Sequence, residues 1–487
     1  MRWTWITGVL LALSWTVGGC AERFEPRLPR IEAYLPTQAR HPVDQGLPSA
    51  ESAASTTRPA TSGPLGLDGC VRVALADNPM AQASREGVAA AQEAVGEAWS
   101  GYYPQVGLSA GYRRWESHAF LPSGLGGAMG TPSDTVGPTN DWSGGLVASL
   151  TLFDSGRRRA QILAAKARLG ASREEAAALE QDIALTVHQA FYGLLSAKNA
   201  LRVANENLAR AQDYLRLAKE RKDAGAAVQA DVLRAQVEVA DRKLAIVRVE
   251  HLVRIARGNL NTAMGLPAEM PIEVRADEPK ITPVDDTQLA VAFGQAVHRR
   301  PELKAALNRI AGARSDVAAA KSDFGPRVKA EGRYGWRDTD LWPQDEDWSI
   351  GVTAELPLFT GFERTHRLNR ARRELSKEDA QTRNLVLTVR QEVWAAHSRV
   401  KEAYEAVQAA TILVADARES MRLTRQRYEA GTATMTDLLD AQTALSRAEG
   451  VHVEAQWNYL ISRANWGRAT GSLLGDTSFP EADGTQK

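Results

Sequence analysis

The chain has 487 residues, of which 44% are hydrophobic and 24% charged, and its 59 basic residues balance its 59 acidic ones. This balance excludes the basic footprint that a nucleic-acid-binding protein needs. With only two cysteines, Cys20 and Cys70, a disulfide framework is excluded as well.

Residues 1–19 predict a secretory signal peptide, because a basic start precedes a short apolar stretch from Ile6 to Val17 and then small residues. Small residues directly before Cys20 resemble a bacterial lipobox, in which that cysteine becomes the lipidated first residue of the mature chain. The alternative is an ordinary signal peptide cleaved near Gly19. In Gram-negative lipoproteins an aspartate after the cysteine favours the inner membrane, so Ala21 points to the outer one.

The two ends of the mature chain predict little regular structure. Residues 20–66 are rich in Pro, Ser, Thr and Ala without periodicity, which indicates a lipid anchor followed by an extended linker. Residues 476–487 have a similar composition and predict a flexible tail.

An internal duplication organises everything between these ends. Two sets of residues recur, one at an offset of 222 and one at an offset of 206. The first set is Asn78, Pro79 and Pro104, which recur as Arg300, Pro301 and Pro326; the second is Trp142, Phe153, Gly225 and Asp231, which recur as Trp348, Phe359, Gly431 and Asp437. We therefore predict one supersecondary unit built twice, in residues 67–270 and 287–475, with a linker at 271–286.

Four segments of about ten residues alternate apolar and polar side chains, beginning at Val106, Trp142, Val328 and Trp348. Aromatic residues gather at one end of them, chiefly Trp115, Trp142, Trp336 and Trp348, as in the aromatic belt of a membrane protein. The intervening loops, 116–141 and 337–347, are polar. The pattern is typical of transmembrane β-strands, and an antiparallel sheet with one dry face in a soluble protein is the alternative. Because four strands cannot close a barrel, the membrane interpretation requires several chains.

Long helices separate the strand pairs. Residues 154–224 and 360–430 each contain 71 positions without proline, enough for a helix of roughly 100 Å. Heptad spacing continues after Gly225 and Gly431, so each copy predicts a coiled-coil hairpin that reverses at those glycines. Two shorter helices, about 72–101 and 227–264, would then flank one long helix. A dimerising coiled coil is the alternative, but it leaves the recurring strands unexplained.

Four stretches at these places match a known family in order, and one of them, the strand-to-helix junction, is quoted from both copies. They are Asp68-Gly69-Cys70 through Pro79, Leu152-Phe153-Asp154-Ser155-Gly156 with Leu358-Phe359-Thr360-Gly361, Ala430-Gly431 with Thr436 to Gln442, and Trp457 to Leu460 with Gly471-Ser472-Leu473. On these residues the chain resembles the TolC-type outer-membrane efflux family, from about Leu67 to Leu474.

The resemblance implies a mainly α fold with a membrane β-barrel portion, in which three chains complete a 12-stranded barrel above an α-helical tunnel. It implies a passive exit duct in the outer membrane, opened when a periplasmic adaptor and an inner-membrane pump of the RND type dock. Its partners would thus be two further copies, the adaptor, the pump and outer-membrane lipid, without nucleic acid. A lipid-anchored periplasmic scaffold without a channel is the alternative function.

The resemblance also implies site residues at the hairpin ends. Tyr428 matches the family's constriction tyrosine, Asp437 and Asp440 match its acidic rings, and Asp231 matches their partner in the first hairpin. The hairpin tips Gly225, Ala226, Gly431 and Thr432 would meet the adaptor. At Ala433 the chain lacks the arginine that bonds across this network in some members, which leaves the closing contact open.

Physical chemistry allows two roles for these carboxylates. Asp437 and Asp440 lie one helical turn apart, so symmetry would turn them into a ring of negative charge that favours cations. Alternatively, Asp437 and Asp231 cap the returning helices and Asp440 is simply exposed. No catalytic, metal or cofactor motif is present, since the eight histidines have no ligand spacing.

Overall fold

The computed structural model describes residues 63–118, 135–275, 281–283 and 288–474. The predicted signal peptide, Cys20 with its predicted acylation, nearly all of the predicted linker and the predicted tail lie outside these residues. The described helices are α1 Leu67–Asp77, α2 Pro79–Ser100, α3 Arg157–Asp223, α4 Gln229–Ala263, α5 Gln288–Arg299, α6 Pro301–Ser322, α7 Glu363–Glu429 and α8 Met435–Thr470. The described strands are β1 Gln105–His118, β2 Thr135–Phe153, β3 Arg327–Asp338 and β4 Glu346–Glu355, so the mainly α fold with four strands is confirmed.

Several element boundaries differ from the sequence prediction. The helix predicted over 72–101 is two helices, because Pro79 has no N–H to continue α1 and Asn78 instead caps α2 through Met80 N at 2.9 Å. Strand β2 begins at Thr135, inside the stretch predicted as a loop. Strand β4 ends at Glu355, so Leu356 and Leu358 follow the strand and are not part of it.

The two longest helices, α3 and α7, have 67 residues each and run the length of the helical body. As predicted, two shorter helices lie along each: α2 and α4 along α3, and α6 and α8 along α7. Helix α3 also packs against α6 and α8, which joins the two copies. The order across the body is therefore α2, α3, α6, α7 at the sheet end and α4, α3, α8, α7 at the hairpin end.

The strands form one antiparallel sheet in the order β1, β2, β3, β4. Within the described strands, β1 pairs with β2 and β4 pairs with β3, so each end of the sheet presents an unpaired strand edge. The β2–β3 pair is especially close at Gly145 and Gly335, where a Cβ on Gly145 would lie 2.5 Å from Tyr334 O. Only glycine fits this crossing.

The strand-to-helix junctions repeat the same contacts in both copies. Arg158, in the first turn of α3, donates to the carbonyl of Gly101 at 3.1 Å and stacks on Tyr102 at 4.3 Å. Arg364 occupies the equivalent place in α7, donating to the carbonyl of Asp323 at 3.4 Å and stacking on Phe324 at 5.1 Å. The duplication detected in the sequence is thus preserved in individual side-chain contacts.

The described parts of the two predicted linkers are paired with each other. Leu65 forms an isolated parallel bridge with Val274, with Leu65 N donating to Glu273 O at 2.9 Å. Further along, Tyr459 in α8 donates its hydroxyl to Thr282 O at 2.7 Å. Both segments are therefore attached to the helical body, at the level where α1 and α5 lie.

An ion cluster ties the second copy to the first near this level. Arg468 of α8 contacts Asp182 of α3 at 2.6 Å and also Glu302 of α6, while Arg300 contacts Glu302 at 3.1 Å and Glu392 of α7. Both arginines are buried. Burial alone would raise the pKa of Glu302, but the hydrogen bonds from Arg300 and Arg468 outweigh it and lower that pKa to about 2.

Replacing Glu302 with glutamine should destabilise the fold by roughly 2–3 kcal/mol at neutral pH, because two buried arginines would lose their shared carboxylate. Because the pKa of Glu302 is lower in the folded protein, its ionised carboxylate stabilises the folded state at pH values above 4.5, the ordinary pKa. This contribution is lost as the pH falls toward about 2. The difference in thermal unfolding between wild type and variant should therefore shrink from neutral pH to about pH 3. Glu405→Gln, at an exposed position of α7, is the control; a difference that stays constant with pH would contradict the assignment.

Substituting alanine for Gly145 should separate β2 from β3 and destabilise the sheet by about 1–3 kcal/mol. The adjacent Gly144 is the matched control, since a Cβ there meets no atom within 4 Å. The thermal midpoint of the purified protein should fall for Gly145→Ala and stay near that of wild type for Gly144→Ala. Equal midpoints for the two variants would show that β2 and β3 can move apart at Gly145 without loss of stability.

Candidate functional site

The register of the sheet places the predicted apolar side chains on one continuous face. Tyr112 lies opposite Trp142 with their rings 4.3 Å apart, and Tyr334 lies opposite Trp348. Alternation along each strand extends this face, and its exposed members are Val106, Leu108, Tyr112, Leu146, Tyr334, Trp336, Trp348, Ile350 and Val352. Trp142, Trp336 and Trp348 therefore share one face and one end of the sheet.

Trp115 does not join them. It lies three residues after Tyr112, before the irregularity that follows it in β1, and pairs with Thr139. Odd spacing along a strand places its side chain on the opposite face from Tyr112. Three of the four tryptophans predicted to form the belt therefore lie on the apolar face, and Trp115 lies on the other face.

The other face of the sheet is polar and carries ion pairs. Asp141 of β2 accepts hydrogen bonds from Arg337 of β3 at 2.7 Å and from Arg113 of β1 at 3.1 Å, so one carboxylate joins three strands. Arg327, Lys329, Glu331 and Arg333 continue the same face of β3 by alternation. One face of the sheet thus suits hydrocarbon and the other suits water.

Both helical hairpins turn with the same backbone motif. Gly225 has φ 74° and Gly431 has φ 79°, the left-handed conformation that glycine adopts without strain. Ala226 N donates to Arg221 O at 2.7 Å, and Thr432 N donates to Arg427 O at 2.8 Å, which closes a Schellman motif at each tip. The four predicted tip residues are all exposed.

The hairpins meet in a small apolar core just above the tips, and Tyr428 is buried in it with 3% of its surface exposed. Arg221, at the end of α3, donates to the carbonyl of Tyr428 and to that of Glu429 at 3.1 Å. Its guanidinium also lies 4.9 Å from the centre of the Tyr428 ring, a cation–π distance. Burial raises the pKa of Tyr428, so its hydroxyl keeps its proton at neutral pH.

The three predicted acidic residues occupy different environments. Asp437 forms a capping box with Thr434: its carboxylate accepts from Thr434 N at 2.8 Å, and Asp437 N donates to Thr434 Oγ1 at 3.2 Å. The hydrogen bond from Thr434 N to the carboxylate lowers the pKa of Asp437. Asp231 makes no cap and pairs with Arg234 at 3.0 Å. Asp440 is exposed.

Sequence reasoning missed Arg221. Ala433, where the resemblance suggested a missing arginine, is partly buried against the tip core, and the arginine that contacts Tyr428 comes from the other hairpin. A basic residue in the last turn of a long helix was the available signal. Which carbonyls it would reach depended on the neighbouring hairpin.

A buried polar layer, also missed, lies further up the hairpins. Asn207 of α3 accepts from Gln442 of α8 at 2.9 Å and from Ser446 at 2.7 Å. Arg210 donates to Asn207 at 2.7 Å and pairs with Glu449 at 2.5 Å. These contacts fix the register of α3 against α8, because sliding either helix would leave buried polar groups unpaired.

Among the residues that the structure describes, no group of three or more His, Cys, Asp and Glu side chains is arranged to hold a metal ion. None of the described helices combines the length and the apolar character of a membrane span.

Comparison with known proteins points to one family. The family model described as "Outer membrane efflux protein" matches residues 70–266 and 292–472. Protein CyaE of Bordetella pertussis is 28% identical over 393 residues, which cover 80% of each chain. Outer membrane efflux protein BepC of Brucella suis is 24% identical over 418 residues, covering 84% of this chain and 86% of its own.

Solved structures give the same fold. The outer-membrane channel OprN superposes with a TM-score of 0.71 at 23% identity, covering 83% of this chain and 89% of its own. At that identity the likeness concerns the fold, which in both chains joins long helices to a small sheet.

Replacing Arg221 with methionine should loosen the tip while keeping the stem of the side chain. The amides of Ala430, Gly431 and Thr432 follow the carbonyls that Arg221 holds, so their hydrogen exchange should accelerate roughly tenfold or more. Lys219→Met, at an exposed position two residues earlier on α3, is the control. Unchanged exchange in Arg221→Met would show that the tip core alone holds α7 in place.

Proposed function

Because the chain belongs to the outer membrane efflux protein family, we propose that three copies of it close into one exit duct, with a shared barrel in the outer membrane and a shared helical tunnel below it. Membership decides between the two functions that the sequence allowed, in favour of the channel over the scaffold. The protein is an outer-membrane efflux channel with a long periplasmic portion, and its family works within multi-component efflux or secretion systems.

The main support for a trimer is that β1 and β4 each have an unpaired edge. An open edge is not tolerated in lipid, so β1 of one copy would pair with β4 of the next. The helices agree with this arrangement, because α2 and α4 lie at one margin of the body and α7 at the other. Head-to-tail contacts of this kind close into a ring. Three copies of the four strands give the twelve that the resemblance implies.

The hairpin ends are the proposed constriction. Tyr428, Asp437, Asp440 and Asp231 lie within one or two turns of the tips, and symmetry would repeat each of them three times around the axis. Asp437 already serves as a cap, which occupies part of its hydrogen-bonding capacity. Asp440 is exposed, so we assign it the main part of the acidic ring.

The exposed tips Gly225, Ala226, Gly431 and Thr432 are the proposed docking points of a periplasmic adaptor, which would bring an inner-membrane pump of the RND type. Both tips have the same backbone geometry, so a ring of three chains would present six nearly equivalent points. Trp142, Trp336 and Trp348 are proposed to lie at the outer boundary of the membrane. Lipidation at Cys20 would add a second anchor, on the periplasmic side of the membrane.

Neutralising Asp440 should weaken the cation preference of the channel without changing its assembly. The measurement is the reversal potential of single channels in planar bilayers under a salt gradient, comparing wild type with Asp440→Asn. We expect the cation-to-anion permeability ratio to fall by roughly two- to fivefold, since one ring of charge is removed. Asp437→Asn should have a smaller effect on the ratio and should also weaken the cap.

Asp241→Asn is the matched control, since Asp241 is an exposed aspartate of α4 away from the tip. It should leave the ratio unchanged. Selectivity that persists in Asp440→Asn would remove Asp440 from the constriction but keep the channel. Folded protein that never conducts, even with Arg221→Met, would argue against an open path through the tips.

A further inference from the structure

We propose that the margins of the helical body recognise each other by charge at the sheet end, so that a copy of this chain selects a further copy of itself as its neighbour in the ring. An acidic stripe on α2 of one copy would face a basic stripe on α7 of the next. The inference rests on the proposed function, which places these two helices side by side, and it names the residues by which one copy chooses the other.

The acidic stripe of α2 consists of three exposed glutamates, Glu86, Glu93 and Glu97. They are seven and four positions apart, which places them on one face of the helix. Among the residues that the structure describes, none of them forms an ion pair. The side of α2 that packs toward α3 is the opposite one, and its partly buried members are Ser84, Val88, Ala91, Val95 and Ala98.

The basic stripe of α7 consists of Arg370, Arg373 and Lys377, which are exposed and three and four positions apart. Arg370 has a loose contact with Glu374, at 3.9 Å, and within the described chain the other two have no ion pair. The opposite side of α7 packs toward α6, and its members are Arg364, Arg367, Ala371, Leu375 and Thr382. Each stripe therefore faces away from its own copy.

The two stripes lie at the same level of the helical body. Ala94, between two of the glutamates, lines one groove with Arg168 of α3 and Asp316 of α6, and this arginine and aspartate are 3.1 Å apart. Asp323, seven residues nearer the sheet at the end of α6 (323 − 316), contacts Arg367 of α7 at 2.8 Å. Helices α6 and α7 are antiparallel, so the part of α7 level with Asp316 lies seven residues after Arg367, within the basic stripe.

Ring closure would bring the stripes together. Rotation about the axis of a ring moves each copy sideways and leaves its level unchanged, so α7 of one copy meets α2 of the next at the height where both stripes lie. Three acidic side chains would then stand beside three basic ones. The charges that each copy leaves without a partner are thus of opposite sign on its two margins.

The hairpin-end half of the same margins is apolar. The exposed side chains there include Leu233, Val237 and Leu244 of α4 and Ile412, Leu413 and Leu423 of α7. Apolar contact favours association with little discrimination between partners, because it is non-directional. Opposite charges at an exposed surface add only a little affinity, but like charges set side by side are strongly unfavourable. The sheet-end stripes therefore supply selectivity, and the apolar half supplies most of the affinity.

Charge exchange in the full-length protein tests the recognition. The swap variant reverses both stripes, so its own copies match each other, whereas a ring shared with wild type would set like charges side by side. Two forms with different affinity tags are co-expressed, extracted in mild detergent and purified through both tags in turn, which isolates mixed trimers. The six substitutions of the swap variant are Glu86→Arg, Glu93→Arg, Glu97→Arg, Arg370→Glu, Arg373→Glu and Lys377→Glu.

We expect two tagged forms of the wild type to mix at random, and mixed trimers of wild type with the swap variant to be roughly tenfold rarer or less. The swap variant alone should form trimers as wild type does, which excludes a folding defect. Mixing at the random proportion would overturn the recognition by charge and leave the trimer intact. Wild-type protein that forms no trimers would instead overturn the proposed function, so the two failures are distinguishable.

A one-sided reversal gives the second measurement. Arg370→Glu/Arg373→Glu sets acidic side chains against the acidic stripe of the next copy, so dissociation of its trimers in detergent should be roughly tenfold faster than for wild type. Arg372→Glu/Arg383→Glu is the matched control, because both positions are exposed on another face of α7. Its trimers should dissociate as slowly as those of wild type. Equal rates for the two double variants would overturn the recognition by charge.

Discussion

Backbone hydrogen bonding at the two margins of the sheet is the constraint on which the other features depend. A strand in hydrocarbon must pair all its N–H and C=O groups, and each unpaired group costs several kcal/mol. The described sheet has four strands and leaves an edge of β1 and an edge of β4 open. The apolar face that the register assembles is therefore compatible with lipid only in a closed ring of several chains. The helical body also has two free margins, formed by α2 and α4 on one side and by α7 on the other.

The duplication meets this constraint economically, because each copy supplies one hairpin of strands and one hairpin of helices. Contacts that join strand to helix are the same in both copies, as Arg158 and Arg364 show. Gly265 and Gly471 likewise end the returning helices against Asn78 and Arg300. The copies diverge where one chain must make unlike contacts. Arg300 belongs to an ion cluster between the copies, whereas Asn78 donates to Ala263 O at 3.1 Å.

The hairpin ends show how the two hairpins of one chain are held together. Each hairpin turns by its own Schellman motif, so the turns are locally stable. What joins the two hairpins is the apolar core around Tyr428 and the contact from Arg221 to the end of α7. Because Arg221 binds carbonyls that the helix end leaves free, separating the hairpins would expose both the charge and its partners. The buried layer around Asn207 holds the register above the tip.

Much of this protein was predictable from the sequence, because strand alternation, heptads and turn glycines are local patterns. They located the four strands, the two long helices and the reversals at Gly225 and Gly431, and the duplicated motifs indicated the family. The break before Pro79 is itself a local signal, because Pro79 has no N–H and Asn78 caps α2, although the helix predicted over 72–101 ran through it. Local patterns could not locate the early start of β2, since the end of a strand depends on the strand paired with it. Nor could they show which face Trp115 occupies, which only the strand pairing decides.

The candidate site divides in the same way. The sequence placed Tyr428, Asp231, Asp437 and Asp440 near the tips, because their distance from a turn glycine is fixed along the chain. It left open whether Asp437 and Asp231 cap helices. The tertiary structure decided that Asp437 does, that Asp231 pairs with Arg234, and that Arg221 crosses to the other hairpin. The physical reason is that a side chain's partner across two hairpins depends on how they pack, and residues 221 and 428, although 207 positions apart, become neighbours only then.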